Sequence, residues 1–449
     1  MSQQKTLILG AGIFGVSTAL HLARVSSSPE EASRITILDR APFPENSQAA
    51  SADINKIIRA DYSSPLYMEL GFEAIHAWKN DPVLNPVSHS NSGSGSGAVG
   101  GKVYTQSGWI ALDEKGSDVP VRIRQNFKDG GYDSVITDMT ETQVRQNWGG
   151  VLSRTDLSPF GSYYYNPSAG WADASGALRL MLTEAIRLGV KYEVGEVKRV
   201  LLNTEDGKGV SGVETETGTI LRAEKVLLAT GAWTSAVMSS LENELGLPED
   251  DRVEKQVSAA GVCVAHFQLS EEEKAVYDEL PVLVYGGQGE VIPPTESGIL
   301  KFTSSTSFKN TTTTPSGQNI SIPVPDQTIT PQGLQKDLIS AVRSRLPQLL
   351  DANRKPDFYR LCWDSISSSQ HPLITRHPDT QLNNLYFAVG GSFHFYKFLP
   401  TIGKYVVNVL GGVSNGDVKD KAWGWKPAVD NERGVHASLI PKHEFRDFV

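Results

Sequence analysis

The chain has 449 residues, too many for one ordinary hydrophobic core, and this length indicates about two or three domains. Its net charge of −9 and isoelectric point near 5.6 exclude a broad basic surface, so we expect neither nucleic acid nor a membrane as a partner. The only two cysteines, Cys263 and Cys362, exclude a disulfide framework and are typical of a reducing compartment.

The first 39 residues carry the clearest motif. An apolar run, TLILG, is followed by Gly10, Gly12 and Gly15, an amphipathic segment and a second apolar run that ends at Asp39. This order predicts a strand, a phosphate loop, a helix and a strand, because glycines let backbone N–H groups at a helix N-terminus approach a pyrophosphate. A carboxylate at the second strand end can accept hydrogen bonds from a ribose. The pattern therefore predicts a dinucleotide site; the alternative is a glycine turn in an ordinary α/β domain.

The same apolar run is the only N-terminal segment that could pass for a signal peptide, but its glycines follow the phosphate-loop pattern and His21 interrupts it. No other run is long enough to span a bilayer, and the C-terminal RDFV is no peroxisomal tripeptide. We therefore expect a cytoplasmic protein.

The next 200 residues alternate loops, helices and short strands. Pro65 predicts a helix start, residues 88–101 form a Ser/Gly low-complexity loop, and SGWIALD predicts a strand. Ser175 is placed to cap a helix that ends at Gly189. The segments VKYEV, VKRVLL, TGTILRA and KVLLATGAW then predict strands, the last of which runs into Gly231.

The second half of the chain first departs from the strand–glycine–helix pattern of the first 39 residues and then returns to it. AAGVCVAHFQL, VLVY and GILKF predict strands, a helix before Pro347 carries Leu334, Leu338 and Val342, and NTTTTPSGQNISIPVPDQ is a loop by composition. NNLYFAVGG predicts a buried strand, and IGKYVVNVL predicts a helix whose N-terminus points towards the nucleotide.

Four separated pieces carry a family resemblance: GAGIFG with Asp39, NKIIR at 55–59, LKF at 300–302, and LCWDS…RHPD…GGSFHFYK near the end. Together they resemble the monomeric sarcosine oxidase and amadoriase family of FAD-dependent amine oxidases over nearly the whole chain. The stretch AAGVCVAHFQLSEEEKAVYDELPVLVY is most similar to the fungal amadoriase and saccharopine-oxidase branch.

The resemblance implies an α/β fold in two discontinuous domains. A Rossmann-type, glutathione-reductase-like FAD-binding domain would comprise residues 1–85, 161–240 and 362–449. An inserted α+β substrate domain, built on a mixed or antiparallel sheet, would comprise residues 86–160 and 241–361.

The resemblance also implies roles for individual residues. Cys362 matches the cysteine that links the flavin 8α carbon through a thioether, and Arg360 is a nearby positive charge that could ionise the thiol. Lys301 matches the lysine that stabilises charge on oxygen beside flavin N5. Arg59 and Lys397 match the clamp on the substrate carboxylate, and Lys56 matches a cation beside the flavin ring. The alternatives are a buried structural cysteine, an exposed strand lysine and solvated surface charges. Cys263 is interpreted as a core residue.

The full set of predicted cofactor contacts combines the glycine motif with the matched positions, and no metal site is predicted. The set is Gly10, Gly12, Ile13, Phe14, Gly15, Asp39, Arg40, Ser51, Lys56, Val197, Gly231, Trp233, Cys362, Gly391, Phe393, His394 and Lys397.

Two departures from the family pattern bear on the substrate. The turn before Lys397 is SFHFYK rather than small and glycine-rich, which reshapes the pocket. Ser305 stands where the fructosyl branch has an acid, which argues against a glycated substrate. We therefore expect a monomeric oxidase that converts a secondary amine, such as an N-substituted amino acid, to an imine while O2 becomes H2O2. Alternatives are a fructosyl amino acid oxidase, a saccharopine- or pipecolate-type oxidase, an NAD-dependent dehydrogenase and a non-catalytic flavoprotein.

Overall fold

The computed structural model describes residues 4–43, 48–85, 102–203, 208–427, 434 and 436–449; the predicted Ser/Gly loop lies outside them. The strands are β1 (Gln4–Leu9), β2 (Ile35–Asp39), β3 (Lys56–Ile58), β4 (Tyr104–Thr105), β5 (Trp109–Glu114), β6 (Thr137–Met139), β7 (Phe160–Asn166), β8 (Gly170–Ala172), β9 (Lys191–Val194), β10 (Val197–Leu202), β11 (Val210–Thr215), β12 (Ile220–Leu228), β13 (Ser258–Gln268), β14 (Val282–Val284), β15 (Glu290–Ile292), β16 (Ile299–Lys309), β17 (Thr311–Thr313), β18 (Asn319–Ser321), β19 (Phe358–Ile366), β20 (Leu373–Arg376), β21 (Leu385–Val389) and β22 (His443–Glu444). The α-helices are α1 (Ile13–Val25), α2 (Pro29–Ala32), α3 (Pro65–Asn80), α4 (Val119–Asp129), α5 (Glu141–Gln146), α6 (Ala174–Arg187), α7 (Thr234–Glu244), α8 (Glu271–Tyr277), α9 (Gln332–Arg345), α10 (Ile402–Leu410) and α11 (Asp417–Trp423).

An eight-stranded sheet contains the nucleotide motif. Strands β9, β2, β1, β12 and β21 lie side by side and parallel, while β10 and β11 extend β12 and β20 closes the edge, all three antiparallel. The buried core of these strands is apolar at Leu7–Leu9, Val226–Leu228 and Leu385–Val389, because helices cover a parallel sheet on its faces. This confirms the predicted α/β class and puts the carboxyl ends of β1, β2 and β12 at one edge.

A nine-stranded mixed sheet forms the second layer. Its order is β19-β13-β16-β15-β14-β5-β7-β6, with β22 beside β16, and only the β5–β14 and β16–β22 pairs are parallel. The predicted domain boundaries at 160/161 and 361/362 fall inside β7 and β19, so boundaries that keep whole strands together lie after Asn166 and Ile366. A three-stranded sheet, β3-β8-β4, carries Lys56.

Helix α1 packs closely on α10. The Gly403 N–H donates to Ser17 Oγ at 2.8 Å, and a Cβ on Gly403 would overlap the backbone of Ser17. The predicted helix after Pro400 therefore lies directly against the nucleotide-binding helix, and no larger residue fits at the contact.

Two local predictions are wrong. The cap of α6 is Asp173, whose Oδ1 accepts the Gly176 N–H at 2.9 Å, because Ser175 already lies inside the helix and instead donates to Asp53 O. The segment predicted as a loop by composition contains the β17–β18 hairpin, since its threonines suit an extended backbone and Gly317 makes the turn. None of the helices in the described part of the chain is long and apolar enough to cross a membrane.

Candidate active site

A cavity of about 500 Å³ is lined by residues of both large sheets and reaches from the glycine motif to the nine-stranded sheet. Most of the predicted site residues line it: Gly10, Gly12, Ile13, Phe14, Asp39, Arg40, Ser51, Lys56, Arg59, Val197, Gly231, Trp233, Cys362, Phe393, His394 and Lys397. Three predicted site residues do not line the cavity: Gly15, Lys301 and Gly391. Their effect on a ligand would pass through the residues that line it.

One end of the cavity has the chemistry of a dinucleotide site. Gly10 has φ of +104°, and a Cβ on Gly15 would overlap the Gly10 carbonyl, so the loop closes only with glycine. Asp39 accepts the Ala11 N–H at 2.7 Å, which fixes the loop at the start of α1. The buried Ser51 Oγ beside Gly12 has no partner among the described residues. An orphaned hydroxyl beside exposed loop N–H groups fits the phosphates of FAD.

Beyond Asp39 the cavity is flanked by flat and cationic groups. The Arg40 guanidinium lies 4.1 Å from the centre of the Trp233 ring, and Val197 and Gly231 line the same region. A planar base can lie against such surfaces. This end therefore fits the adenosine half of the cofactor.

At the other end Cys362 is buried, with Lys56 beside it. The Lys56 Nζ lies 3.8 Å from Cys362 Sγ, and Val262 and Val264 pack against the thiol. Arg360, predicted as a positive charge near the thiol, donates to the backbone oxygens of Ala49 and Ala52. Lys56 is a second cation on this side and contacts the Cys362 thiol.

Asp53, which was not predicted, joins the two flavin-side lysines. Its Oδ2 lies 2.7 Å from Lys56 Nζ and 2.9 Å from Lys301 Nζ, and Lys301 also donates to Asn55 O at 2.5 Å. Burial raises the pKa of Asp53, but the charges of Lys301 and Lys56 outweigh burial and hold that pKa far below its usual range. Burial lowers the pKa of Lys301, and Asp53 opposes that shift. One carboxylate is therefore the shared counter-ion of the buried Lys301 and the half-buried Lys56.

Arg59 is held by aromatic rings and by a histidine from the C-terminal segment. Its guanidinium carbon lies 4.4 Å from the Tyr62 ring centre and 4.8 Å from that of Trp109. Nη1 donates to Asp61 O, and Nη2 donates to His436 Nε2 at 2.9 Å. Because arginine can only donate, Nε2 of His436 must be unprotonated. Burial and the neighbouring Arg59 hold the pKa of His436 well below its usual value, in agreement with a neutral ring.

Lys397 begins a directed hydrogen-bond chain. Its Nζ donates to Tyr62 Oη at 2.8 Å, Tyr62 Oη lies 3.0 Å from His394 Nδ1, and His394 Nε2 lies 2.9 Å from Gln370 O. Since a carbonyl only accepts, His394 carries its proton on Nε2 and accepts from Tyr62 at Nδ1. Burial, with Arg59 nearby, holds the pKa of Lys397 well below its usual value.

The aromatic turn before Lys397 has an unusual backbone. Ser392 and Phe393 have φ of +49° and +62°, and the Phe393 N–H donates to Asp364 Oδ2 at 2.9 Å. A Cβ on Gly391 would lie 2.7 Å from the same oxygen, so the glycine is needed for the turn. Phe393 itself lines the cavity, whereas Phe395 is buried and stacks on Phe14 at 5.7 Å.

Sequence reasoning missed Asp53, Tyr62, Trp109 and His436. Asp53 had a local signal, because an acid three residues before a predicted cofactor-side lysine can pair with it. Trp109 and His436 had none, since their partner Arg59 lies far away in sequence, and Tyr62 is close to Arg59 in sequence but not to Lys397 and His394. Among the described residues, no group of three or more His, Cys, Asp and Glu side chains could hold a metal ion.

One cavity combines a nucleotide end that contains Asp39 with a far end that contains a buried cysteine and cationic side chains. A comparison with known proteins agrees with this arrangement. The sequence profile described as FAD dependent oxidoreductase matches residues 5–409. The chain belongs to this family of FAD-dependent oxidoreductases. FAD is accordingly its cofactor, which the orphaned Ser51 hydroxyl and the glycine loop accommodate.

Individual members of the family are similar along their whole length. L-saccharopine oxidase of Schizosaccharomyces pombe is 29% identical over 94% of this chain and 92% of that protein. The amino acid oxidase fsqB of Aspergillus fumigatus is 26% identical over 90% of this chain and 91% of that protein. The fructosamine oxidase Amadoriase II of Aspergillus fumigatus, solved in complex with FSA, is 26% identical with a TM-score of 0.80 and covers 100% of this chain and 97% of that one. These matches confirm the predicted fold and family.

Proposed function

We propose that this flavoenzyme oxidises the C–N bond of a secondary amine that carries a carboxylate, such as an N-substituted amino acid, to an imine. The observation that carries the proposal is the presence of Arg59 and Lys397 at the same end of the cavity as Cys362. That end combines a flavin-side thiol with two groups that can bind a carboxylate.

We assign the cofactor contacts to the residues at the two ends. The glycine loop, Asp39 and Ser51 would hold the pyrophosphate and ribose of FAD, and Cys362 would bond to the 8α carbon of its ring. FAD supplies the acceptor for the hydride and for its onward transfer to O2. Lys56 favours the thiolate of Cys362 by its positive charge, which promotes bond formation.

Arg59 and Lys397 would bind and orient the substrate carboxylate. Arg59 is already held flat between Tyr62 and Trp109, so little side-chain freedom is lost when a carboxylate binds. Lys397, the second side chain of the clamp, would add a single positive charge to the same cavity.

The same cations would act on the protonation of the substrate. Positive charges near an ammonium lower its pKa, and only the neutral amine can release a hydride from its α-carbon. The Lys397–Tyr62–His394 chain ends at the backbone oxygen of Gln370, which can only accept a hydrogen bond, so the chain would orient the Lys397 ammonium at the clamp.

Peroxide production tests the proposed reaction. Purified enzyme is mixed under air with N-methyl amino acids, cyclic imino acids, a saccharopine-type conjugate and a fructosyl amino acid, and O2 use and H2O2 are recorded. We expect equal moles of O2 consumed and peroxide formed with at least one carboxylate-bearing amine, and about tenfold or greater loss on Arg59→Ala. A flavin that no amine in the panel reduces without air would refute the proposal.

Denaturation tests the covalent link. Acid-precipitated wild-type protein should keep its yellow colour, and so should Cys263→Ala, because Cys263 is buried on β13 with no counterpart of Lys56 beside it. Cys362→Ala should release its flavin into the supernatant. Release from the wild type would remove the link without affecting the amine oxidase proposal. The monomeric state, the cytoplasmic location and the two-domain division stay predictions.

A further inference from the structure

Glu290 is an acid on the cavity wall that has no assigned role. It is the first residue of β15, where it lies opposite Val284 of β14 and Thr303 of β16. Directly opposed residues of antiparallel strands point to the same face of a sheet. All three residues line the cavity, so the Glu290 side chain is on the cavity face.

The strand order fixes how far this acid lies from the cysteine. Thr303 is opposite Val264 on β13, and the next strand, β19, carries Cys362. Three strand spacings therefore separate Glu290 from Cys362, roughly 14 Å across the sheet. Glu290 is remote from the thiol but shares the cavity with Arg59 and Lys397.

The Glu290 carboxylate is half-buried and makes no hydrogen bond or ion pair with any residue that the structure describes. Its charge nevertheless reaches the clamp. Burial and Arg59 lower the pKa of Lys397, and Glu290 opposes that shift. Ser305, two residues after Thr303 on the same strand face, adds a hydroxyl but no charge to this wall.

A bound substrate would cover this wall and remove water from the carboxylate. A carboxylate that loses water without gaining a partner weakens binding, because nothing replaces its hydration. The clamp cations do not replace it, because they pair with the substrate carboxylate. A substrate that suits the site would therefore bring its own donor to Glu290, and a cationic donor makes the strongest bond to a carboxylate.

We infer that Glu290 selects amines whose second nitrogen substituent carries a cationic group, such as a primary ammonium, which pairs with the Glu290 carboxylate while the clamp holds the substrate carboxylate. The inference rests on the proposed amine oxidase function and names its substrate class. The acidic side chain that would recognise the substituent belongs to β15, whereas the neighbouring strand β16 carries Ser305 at the position where the fructosyl branch has its acid.

Matched substrates test the selection. N-alkyl glycines of equal length that end in an ammonium, a methyl or a carboxylate group are compared by kcat/KM for peroxide formation. We expect the ammonium substrate to be preferred over the methyl one by at least about tenfold, as for a charge-assisted hydrogen bond. In Glu290→Gln this ratio should fall to near one, and in Glu290→Lys the carboxylate substrate should become the best. Glu296→Gln, an exposed acid in the β15–β16 connection, should keep the wild-type ratio.

A binding measurement separates recognition from turnover. Thioether analogues, in which sulfur replaces the amine nitrogen, lose no hydride, and their dissociation constants follow from changes in flavin absorbance. These constants should show the same order of preference in wild type and the same loss of order in Glu290→Gln.

Four outcomes would overturn the inference while the amine oxidase function stands. They are equal rates for the ammonium and methyl substrates, a preference for neutral polyhydroxylated substituents, a preference for anionic substituents in wild type, and a Glu290→Gln effect that is equal for all three substrates. The last would make Glu290 only a counter-ion of Lys397. Absence of turnover and of flavin reduction with every amine would instead refute the proposed function itself.

Discussion

At the scale of single residues, the flavin side of the cavity depends on Asp53. This one carboxylate contacts both the half-buried Lys56 and the buried Lys301 and is the counter-ion that the two lysines share. Lys56 in turn contacts the Cys362 thiol. A charge change at Asp53 therefore reaches both the predicted flavin link and the predicted oxygen site.

Asp53→Asn should destabilise the fold strongly. It leaves the buried Lys301 ammonium and the half-buried Lys56 ammonium without their shared counter-ion. For the broken buried pair with Lys301 we expect a loss of about 3–5 kcal/mol in the free energy of unfolding. Denaturant titration measures this loss. Asp351→Asn breaks an exposed pair with Arg154 and should change the free energy of unfolding far less than Asp53→Asn does. Equal effects of the two variants would mean that Asp53 is not the counter-ion that the geometry indicates.

Lys301→Met should slow the reaction with oxygen and spare the reaction with amine. Lys301 donates two hydrogen bonds, to Asp53 and Asn55, and a third N–H remains to stabilise charge on reduced oxygen. Stopped-flow reoxidation of the reduced enzyme should be slower by about 10²-fold or more, while anaerobic reduction by substrate stays near the wild-type rate. Unchanged reoxidation would remove the role that the family resemblance implies for this lysine.

At the scale of elements, the C-terminal segment 436–449 completes the clamp. His436 reaches Arg59, Ser307 donates to Leu439 O at 2.9 Å, and β22 pairs with β16. Gln370 holds the backbone of His436 by accepting its N–H and donating to its oxygen. The segment thus returns from the FAD side of the molecule to the nine-stranded sheet and covers part of the cavity.

His436→Asn should reduce the acid sensitivity of the fold. Arg59, His394 and Lys397 add to burial in holding the pKa of His436 well below that of an unfolded histidine. The unfolded chain thus binds one more proton below about pH 6.5, and stability falls as pH decreases through that value. Asparagine can still accept from Arg59 but does not titrate, so the slope between pH 6.5 and 5 should decrease by about 1.4 kcal/mol per pH unit.

Two comparisons qualify that experiment. His266 and His377, whose pKa values are lowered to about 4 by burial, keep part of the slope in the variant. His443→Asn changes an exposed histidine of β22 and is the control for the substitution itself. An unchanged slope in His436→Asn would contradict a neutral His436 in the folded protein.

The sequence predicted those elements whose signal is local. The runs LIL, VLL and LYFAV are buried on both faces of a parallel sheet and are therefore apolar without interruption. The β17–β18 hairpin and β11 were missed because short polar strands carry no such run. Among site residues, Arg59 and Lys397 were found through motif similarity, whereas their partners Tyr62 and His436 depend on contacts across hundreds of residues.

At the scale of the whole molecule, the cavity is lined by residues of both large sheets. Asp39 belongs to the eight-stranded sheet and Cys362 to the nine-stranded one, and both line the cavity. FAD bound along it would stabilise the assembly of the two layers and not only one of them.

Flavin-free Cys362→Ala protein should show this linkage. Added FAD should raise the unfolding temperature with a shift that grows with ligand concentration, by about 2.7 kcal/mol of stability at a hundredfold excess over the dissociation constant. ADP, which has the pyrophosphate and one ribose but no flavin ring, should also raise it. Riboflavin, which lacks the pyrophosphate and the adenosine, should raise the unfolding temperature only through contacts at the Cys362 end of the cavity.

Asp39→Asn in the same background separates these contributions. The amide keeps an oxygen that can accept the Ala11 N–H, so the loop can close, but it removes the charge that favours the ribose hydroxyls. The shifts caused by FAD and ADP should therefore shrink, while the shift caused by riboflavin stays the same. If all three shifts shrink together, Asp39 acts through the fold of the loop. The sugar contact would then have to be assigned to another residue of the nucleotide end.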